Sequence, residues 1–171
     1  MSKMSKGFKW RYKNKSANYN LSKRSGGKSA IKYICVHYTG GTGSAKNNIL
    51  YFAGGNRNAS ADFFIDDKGI CKYNPNVYKY YSWAVGDGHG KYGITNANSV
   101  SIEVVNNGGA FSAEETVYLR ELVLWCMKKY GVKAKNVVRH YDASHKQCPK
   151  YYSGSDTADK RWKKLHKRIT E

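Results

Sequence analysis

The run IKYICVHY, residues 31–38, is rich in β-branched and aromatic side chains and mostly apolar, the pattern of a strand covered on both faces. Such a strand needs a layer on each side of its sheet, and the rest of the chain supplies helices for that purpose. Ser44 can cap a short helix through Phe52, which Gly54 and Gly55 stop. ADFFIDDKGICKY reads as two short strands around an Asp-Lys-Gly turn. SVSIEVV alternates, with Val100, Ile102 and Val104 on one face and Ser99, Ser101 and Glu103 on the other. Ser112 and Glu115 form a capping box for a helix on which Leu119, Leu122, Val123, Cys126, Met127 and Tyr130 recur at helical spacing. Lys128 and Lys129 fall in its last turn, and Gly131 lies just beyond. VVRH is a further short strand, and Trp162, Leu165 and Ile169 mark a basic C-terminal helix. The expectation is a single α/β domain: a central mixed β-sheet flanked by helices, with functional groups at one end of the sheet.

A chain of 171 residues can bury a core without staples, so its four cysteines, Cys35, Cys71, Cys126 and Cys148, read as reduced thiols. No apolar run approaches the roughly 20 residues needed to cross a bilayer. The N-terminus MSKMSKGFKWRYKNK is basic and lacks the apolar stretch of a secretory signal, so no membrane insertion and no signal-directed export are expected. The net charge of +18 is uneven: twelve lysines and arginines precede the first acid, Asp62. Residues 1–30 therefore read as a basic arm, laid over the domain or partly disordered, before a folded domain at 31–171. Such a field attracts polyanions without choosing among them; nucleic acid, an anionic membrane face and anionic wall polymers all qualify.

One loop concentrates the reactive groups. RHYDASHKQCP, residues 139–149, holds two histidines, a lysine, an aspartate and a cysteine. Zinc takes imidazole nitrogen and thiolate sulfur, and a catalytic site uses three protein ligands and leaves the fourth position to water. His140 and Cys148 can supply two ligands, and His37, at the end of a strand, a third. Their spacing matches no tight finger motif, and a lone His or Cys is more often structural, so from pattern alone both readings stand.

In order and spacing, ICVHYTGG, then ASADFFIDDKG, then SWAVGDG with NANSVSIEVV, and finally RHYDASHKQCP resemble the zinc-dependent N-acetylmuramoyl-L-alanine amidases. That family comprises phage endolysin amidases, bacterial autolysins and peptidoglycan recognition proteins. The likeness runs from about Ile31 to about Tyr152. It implies zinc held by His37, His140 and Cys148, Glu103 as the general base, and Lys146 as the cation that meets the tetrahedral oxyanion. It implies cleavage of the amide between the lactyl group of N-acetylmuramic acid and the first L-alanine of the stem peptide. Where relatives often read Ser-Ala-His-Tyr, this chain has SADFF; Asp62 is placed among the groove residues, its carboxylate suited to orienting a histidine ligand through the free ring nitrogen. Trp83 either packs or stacks on sugar or peptide, and His89, in a Gly-rich loop, is expected to line the groove. His145 is expected to point outward, and His166 belongs to the basic helix.

The implied partner is bacterial peptidoglycan, with anionic teichoic acids drawn to the cationic arm. The implied setting is a monomeric phage endolysin held in the host cytoplasm until release to the wall at lysis. A non-catalytic peptidoglycan-recognition module and a basic nucleic-acid-binding protein are the alternatives. Cys148 speaks against the first, because recognition members commonly lack the cysteine ligand. The second has the charge but no recognised nucleic-acid motif.

Overall fold

A computed structural model describes residues 8–16 and 18–171, so the first seven residues of the basic arm lie outside the described residues. Six strands form one sheet: β1 (Trp10–Lys13), β3 (Tyr33–Tyr38), β4 (Phe63–Asp66), β5 (Gly69–Lys72), β7 (Ser99–Val104) and β8 (Val137–Arg139). Their order is β1-β5-β4-β7-β3-β8. The pairs β1/β5, β4/β7, β7/β3 and β3/β8 are parallel and the β4/β5 hairpin is antiparallel, so the sheet is mixed. A second, two-stranded antiparallel sheet joins β2 (Leu21–Lys23) to β6 (Tyr80–Ser82).

Helices cover both faces. On one, α2 (Ala113–Tyr130) and α4 (Asp156–Thr170) pack Leu119, Leu122, Val123, Trp162, Leu165 and Ile169 onto Ile34, Val36, Phe63, Ile65, Ile102 and Val104. Each such side chain taken fully from water contributes roughly 1.5–3 kcal/mol before the cost of ordering it. The capping box at Ser112 and Glu115 is present, and Gly131 ends α2 with a left-handed φ of 74°. On the other face, α1 (Ala45–Ala53) packs Ala45 and Ile49 against Phe64 and Cys71, with Ser44 accepting from Asn47 N at its start. The short α3 (His140–Ser144) packs against β3 and β8, its Ala143 against Cys35.

Residues 10–13, read from composition as part of an arm, form an edge strand. Trp10 stacks on Phe63 at 5.4 Å and meets Trp125 edge-on at 5.4 Å, while Phe8 adds an edge contact to Trp10 at 4.9 Å. Arg11 extends the docking with an ion pair to Asp66 at 3.0 Å. These aromatics bury enough area to hold a four-residue strand that its own sequence would leave unformed. All four cysteines are free and buried.

Candidate metal centre

The functional groups gather at the carboxyl ends of the central parallel strands, where open α/β sheets leave a crevice. His37 is the fifth residue of β3 and pairs in register with Glu103 on β7. β8 runs parallel to β3 and delivers His140 as the first residue of α3. Buried Arg139 fixes that junction: its guanidinium donates to Tyr152 O at 2.7 Å, Asp159 Oδ1 at 2.6 Å and Asp142 Oδ1 at 2.8 Å. His145 ends α3 with a left-handed φ of 63°, and the loop doubles back until Tyr141 N donates to Cys148 O at 3.0 Å.

His37, His140 and Cys148 are all buried, and their ligand atoms lie within 4.8 Å of one another. The two imidazoles face each other through Nδ1, 3.1 Å apart. Their outer nitrogens are held: His140 Nε2 lies 2.7 Å from Asp87 Oδ1, and His37 Nε2 lies 3.1 Å from Ser101 Oγ. An ionised Asp87 can only accept, so His140 Nε2 carries the proton and its Nδ1 presents a lone pair inward. Burial pushes His37 well below the ordinary histidine value, and the neighbouring His140 and Lys146 push the same way. Burial also lowers His140, against the pull of Asp87. Both rings are thus neutral at pH 7, the form in which imidazole ligates. Burial drives the Cys148 thiol up to about 12, with the Glu103 charge adding to it, so a cation must displace its proton. Two converging lone pairs and a thiol, walled from water, fit a thiophilic divalent cation.

Glu103 completes the group. Its Oε1 is 3.9 Å from His37 Nδ1, while Oε2 is buried with no hydrogen-bond partner among the described residues. Burial raises this carboxyl to about 8, with Lys146 opposing. Lys146 is exposed in the loop before Cys148, and its charge acts on His37, His140, Glu103 and Asp87 alike.

The other sequence-chosen residues fall elsewhere. Asp62 is fully buried, so it touches no substrate, and it reaches no histidine ring. It accepts instead from Ser101 N at 2.8 Å, Ser82 Oγ at 2.8 Å and Asn74 Nδ2 at 2.7 Å. The orienting role foreseen for it belongs to Asp87 and Ser101. Trp83 is partly buried and gives its indole N–H to Ser22 Oγ at 2.8 Å, which ties it to β2. His89 is exposed in the loop that carries Asp87. That loop can approach α3 because residue 88 is glycine; a Cβ there would collide with the Ala143 carbonyl. The Gly-Asp-Gly spelling of residues 86–88 is the one local sign of Asp87, and it does not say which ring the carboxylate meets. His145 is exposed, as expected, and is stacked between Tyr92 and Tyr141.

Residues 27–151 match the family described as N-acetylmuramoyl-L-alanine amidase. The chain belongs to that family. Among its relatives is CwlL of Bacillus licheniformis, an N-acetylmuramoyl-L-alanine amidase 34% identical over 131 residues that make up 71% of this chain and 36% of CwlL. The chain thus spans little more than a third of that relative's length. The structure of PlyL superposes with a TM-score of 0.70 at 27% identity, covering 83% of this chain and 85% of that one. The catalytic domain of XlyA does so with a TM-score of 0.71 at 26% identity, covering 92% and 97%. With those two structures this chain shares its fold, a mixed sheet flanked by helices.

Proposed function

We propose that the protein is a zinc-dependent hydrolase that cleaves the amide between N-acetylmuramic acid and L-alanine in bacterial peptidoglycan. The observation that carries this reading is the convergence of two neutral imidazole Nδ1 atoms and the Cys148 thiol beside a buried carboxylate oxygen that has no partner. His37, His140 and Cys148 would hold the ion, with Ser101 and Asp87 fixing the rings. Zinc bound there supplies a water of lowered pKa and polarises the carbonyl under attack. Glu103 would take a proton from the attacking water and return one to the departing amine; a carboxyl poised near neutrality exchanges protons with little driving force either way. Lys146 meets the negative charge that develops on the carbonyl oxygen. The products are a lactyl carboxylate and a free L-alanine amine.

Residues 31–171 would carry this chemistry, with the segment before residue 30 adding positive charge as well as strands β1 and β2. Trp83 and His89 stay candidates for the groove wall. The setting we infer is that of a monomeric endolysin, released from the host cytoplasm at lysis; a mutant endolysin from Bacillus subtilis superposes with a TM-score of 0.72 at 27% identity. Among the described residues no helix is long and apolar enough to cross a membrane. A recognition module without catalysis would have no use for a cysteine ligand beside an unpartnered glutamate.

The test couples metal content to chemistry. Cys148→Ser should lose bound zinc and the release of new L-alanine amino termini from purified walls together, while Cys126→Ser, in the hydrophobic core, keeps both. A Cys148→Ser protein with full zinc content, or wall hydrolysis that survives complete chelation, would refute the assignment.

A further inference from the structure

At the opposite end of the sheet a cavity of about 630 Å³ opens between residues 28–32, the end of α2 and residues 131–136. Lys28, Lys32, Lys133 and Lys135 line it, all four exposed, and no carboxylate does. None of these ammonium groups is in an ion pair among the described residues. Lys32 stands five residues before His37 along one extended chain, so about 16 Å separates the cavity from the metal centre. It is not part of the amidase groove.

Helix capping does not explain the lysines. The turn that closes α2 already has its partners: Met127 O accepts from Gly131 N at 2.9 Å and from Val132 N at 3.1 Å, Lys129 O accepts from Tyr78 Oη at 3.4 Å, and Lys128 and Lys129 supply cations within the last turn. Four unpaired like charges around one cavity repel each other unless an anion lies among them. The basic surface also continues past the cavity. His166 on α4 meets Ala134 O at 2.9 Å, and Lys160, Arg161, Lys163, Lys164, Lys167 and Arg168 are exposed along that helix.

We propose that this cavity binds the phosphodiester backbone of a poly(polyol phosphate) wall polymer, the chemistry of teichoic acid, at the end of the sheet remote from the metal. The polymer's place in the wall rests on the amidase reading; the site itself does not. Phosphate is favoured by the charge, and bases are disfavoured by the lining. Its one aromatic ring, Tyr130, is 4% exposed and locked edge-on against Tyr78 and Trp125, so it offers no platform for stacking. Lys28, at the end of the basic arm, belongs to this site, and the rest of the arm's charge draws the polymer near.

The test is binding of the full chain to poly(glycerol phosphate) across a salt series, without hydrolysis. Lys32→Gln, Lys133→Gln and Lys135→Gln together should weaken binding roughly tenfold or more and reduce the salt slope by about two. Removing the same charge from the exposed Lys9, Lys13 and Lys15 should cost less than about threefold, with both triple variants keeping the parent melting temperature. Equal losses in the two triple variants would show diffuse charge and overturn the site. So would tighter binding of single-stranded DNA that depends on the same three lysines, which would make the occupant a nucleic acid. Failure of the amidase reading would show separately, as polymer binding without any wall hydrolysis.

Discussion

Two acidic side chains beside the central strands, Asp62 just before β4 and Glu103 near the end of β7, are treated in opposite ways. Asp62 receives three hydrogen bonds, from Ser101 N, Ser82 Oγ and Asn74 Nδ2, and no part of it reaches solvent. Glu103 has one oxygen without a partner among the described residues and the other 3.9 Å from His37 Nδ1. Burial raises the pKa of both. The difference lies in what opposes it: around Asp62 local donors stabilise the charge, and around Glu103 the nearest opposing influence is Lys146, across the site. A carboxylate held by three donors ties strands together. One left unsatisfied beside three ligand atoms is available to a proton that is not yet there.

If that contrast is chemical, the two acids must fail differently. Glu103→Gln preserves size and removes the basic oxygen. It should keep a full complement of zinc and the parent melting temperature while wall hydrolysis falls by about a hundredfold or more, close to 2.7 kcal/mol of barrier. Lys146→Ala should share the phenotype, because it too acts on the transition state. Unchanged hydrolysis by the Gln variant would put Glu103 on the same structural footing as Asp62 and dissolve the comparison.

Asp62→Asn should do the converse. Its amide must turn a donor toward Ser101 N, Ser82 Oγ or Asn74 Nδ2, leaving at least one buried donor facing another. The expected cost is about 2 kcal/mol, or a melting temperature lower by roughly 4–8 °C, with turnover per folded molecule unchanged. Loss of turnover at an unchanged melting temperature would mean that Asp62 governs His37 through Ser101, which contacts both.

What the sequence showed of these two acids follows the range of the interactions. The alternation of SVSIEVV placed Glu103 on the face opposite Val100, Ile102 and Val104, because a strand's period of two is written locally. The capping box at Ser112 and Glu115 and the cap at Ser44 were legible for the same reason: each partner lies three residues away. Asp62 was misread because its neighbours Asn74, Ser82 and Ser101 are 12, 20 and 39 residues distant, and nothing around position 62 announces them. Asp87 escaped notice likewise, since the ring it meets is 53 residues away. The edge strand β1 carries no apolar run of its own; its stability comes from Phe63 and Trp125, which only the finished fold brings beside Trp10.

The smallest expected effect separates the acids by pH in the metal-free protein. Glu103 ionises at about 8 when folded against an ordinary 4.5, so below 4.5 both states hold the proton and above it the unfolded chain gives it up first. Its contribution to stability is therefore full in acid and is lost as pH rises toward 8. His37 and His140, lowered from 6.5, work the other way, adding stability as pH rises and saturating above that value. Between pH 6.5 and 8 the histidines still add about 0.4 kcal/mol each, as the remaining half of their unfolded charge is titrated away, and unfolded thiols, whose ordinary value is 9.0, have barely begun to ionise. Across this window the Glu103 share is about 1–1.5 kcal/mol, bounded by 1.36 kcal/mol per pH unit and reduced because the side chain is one-fifth exposed, and the histidine gain leaves the chelated protein a net loss of up to about 1 kcal/mol. Asp62 is also raised, yet its three donors oppose the rise, so its share should be the lesser. Denaturant unfolding at pH 6.5 and 8 measures both shares: Glu103→Gln should abolish the fall and Asp62→Asn should remove little of it. A fall that survives Glu103→Gln and disappears with Asp62→Asn would reverse the roles assigned to the two carboxyls.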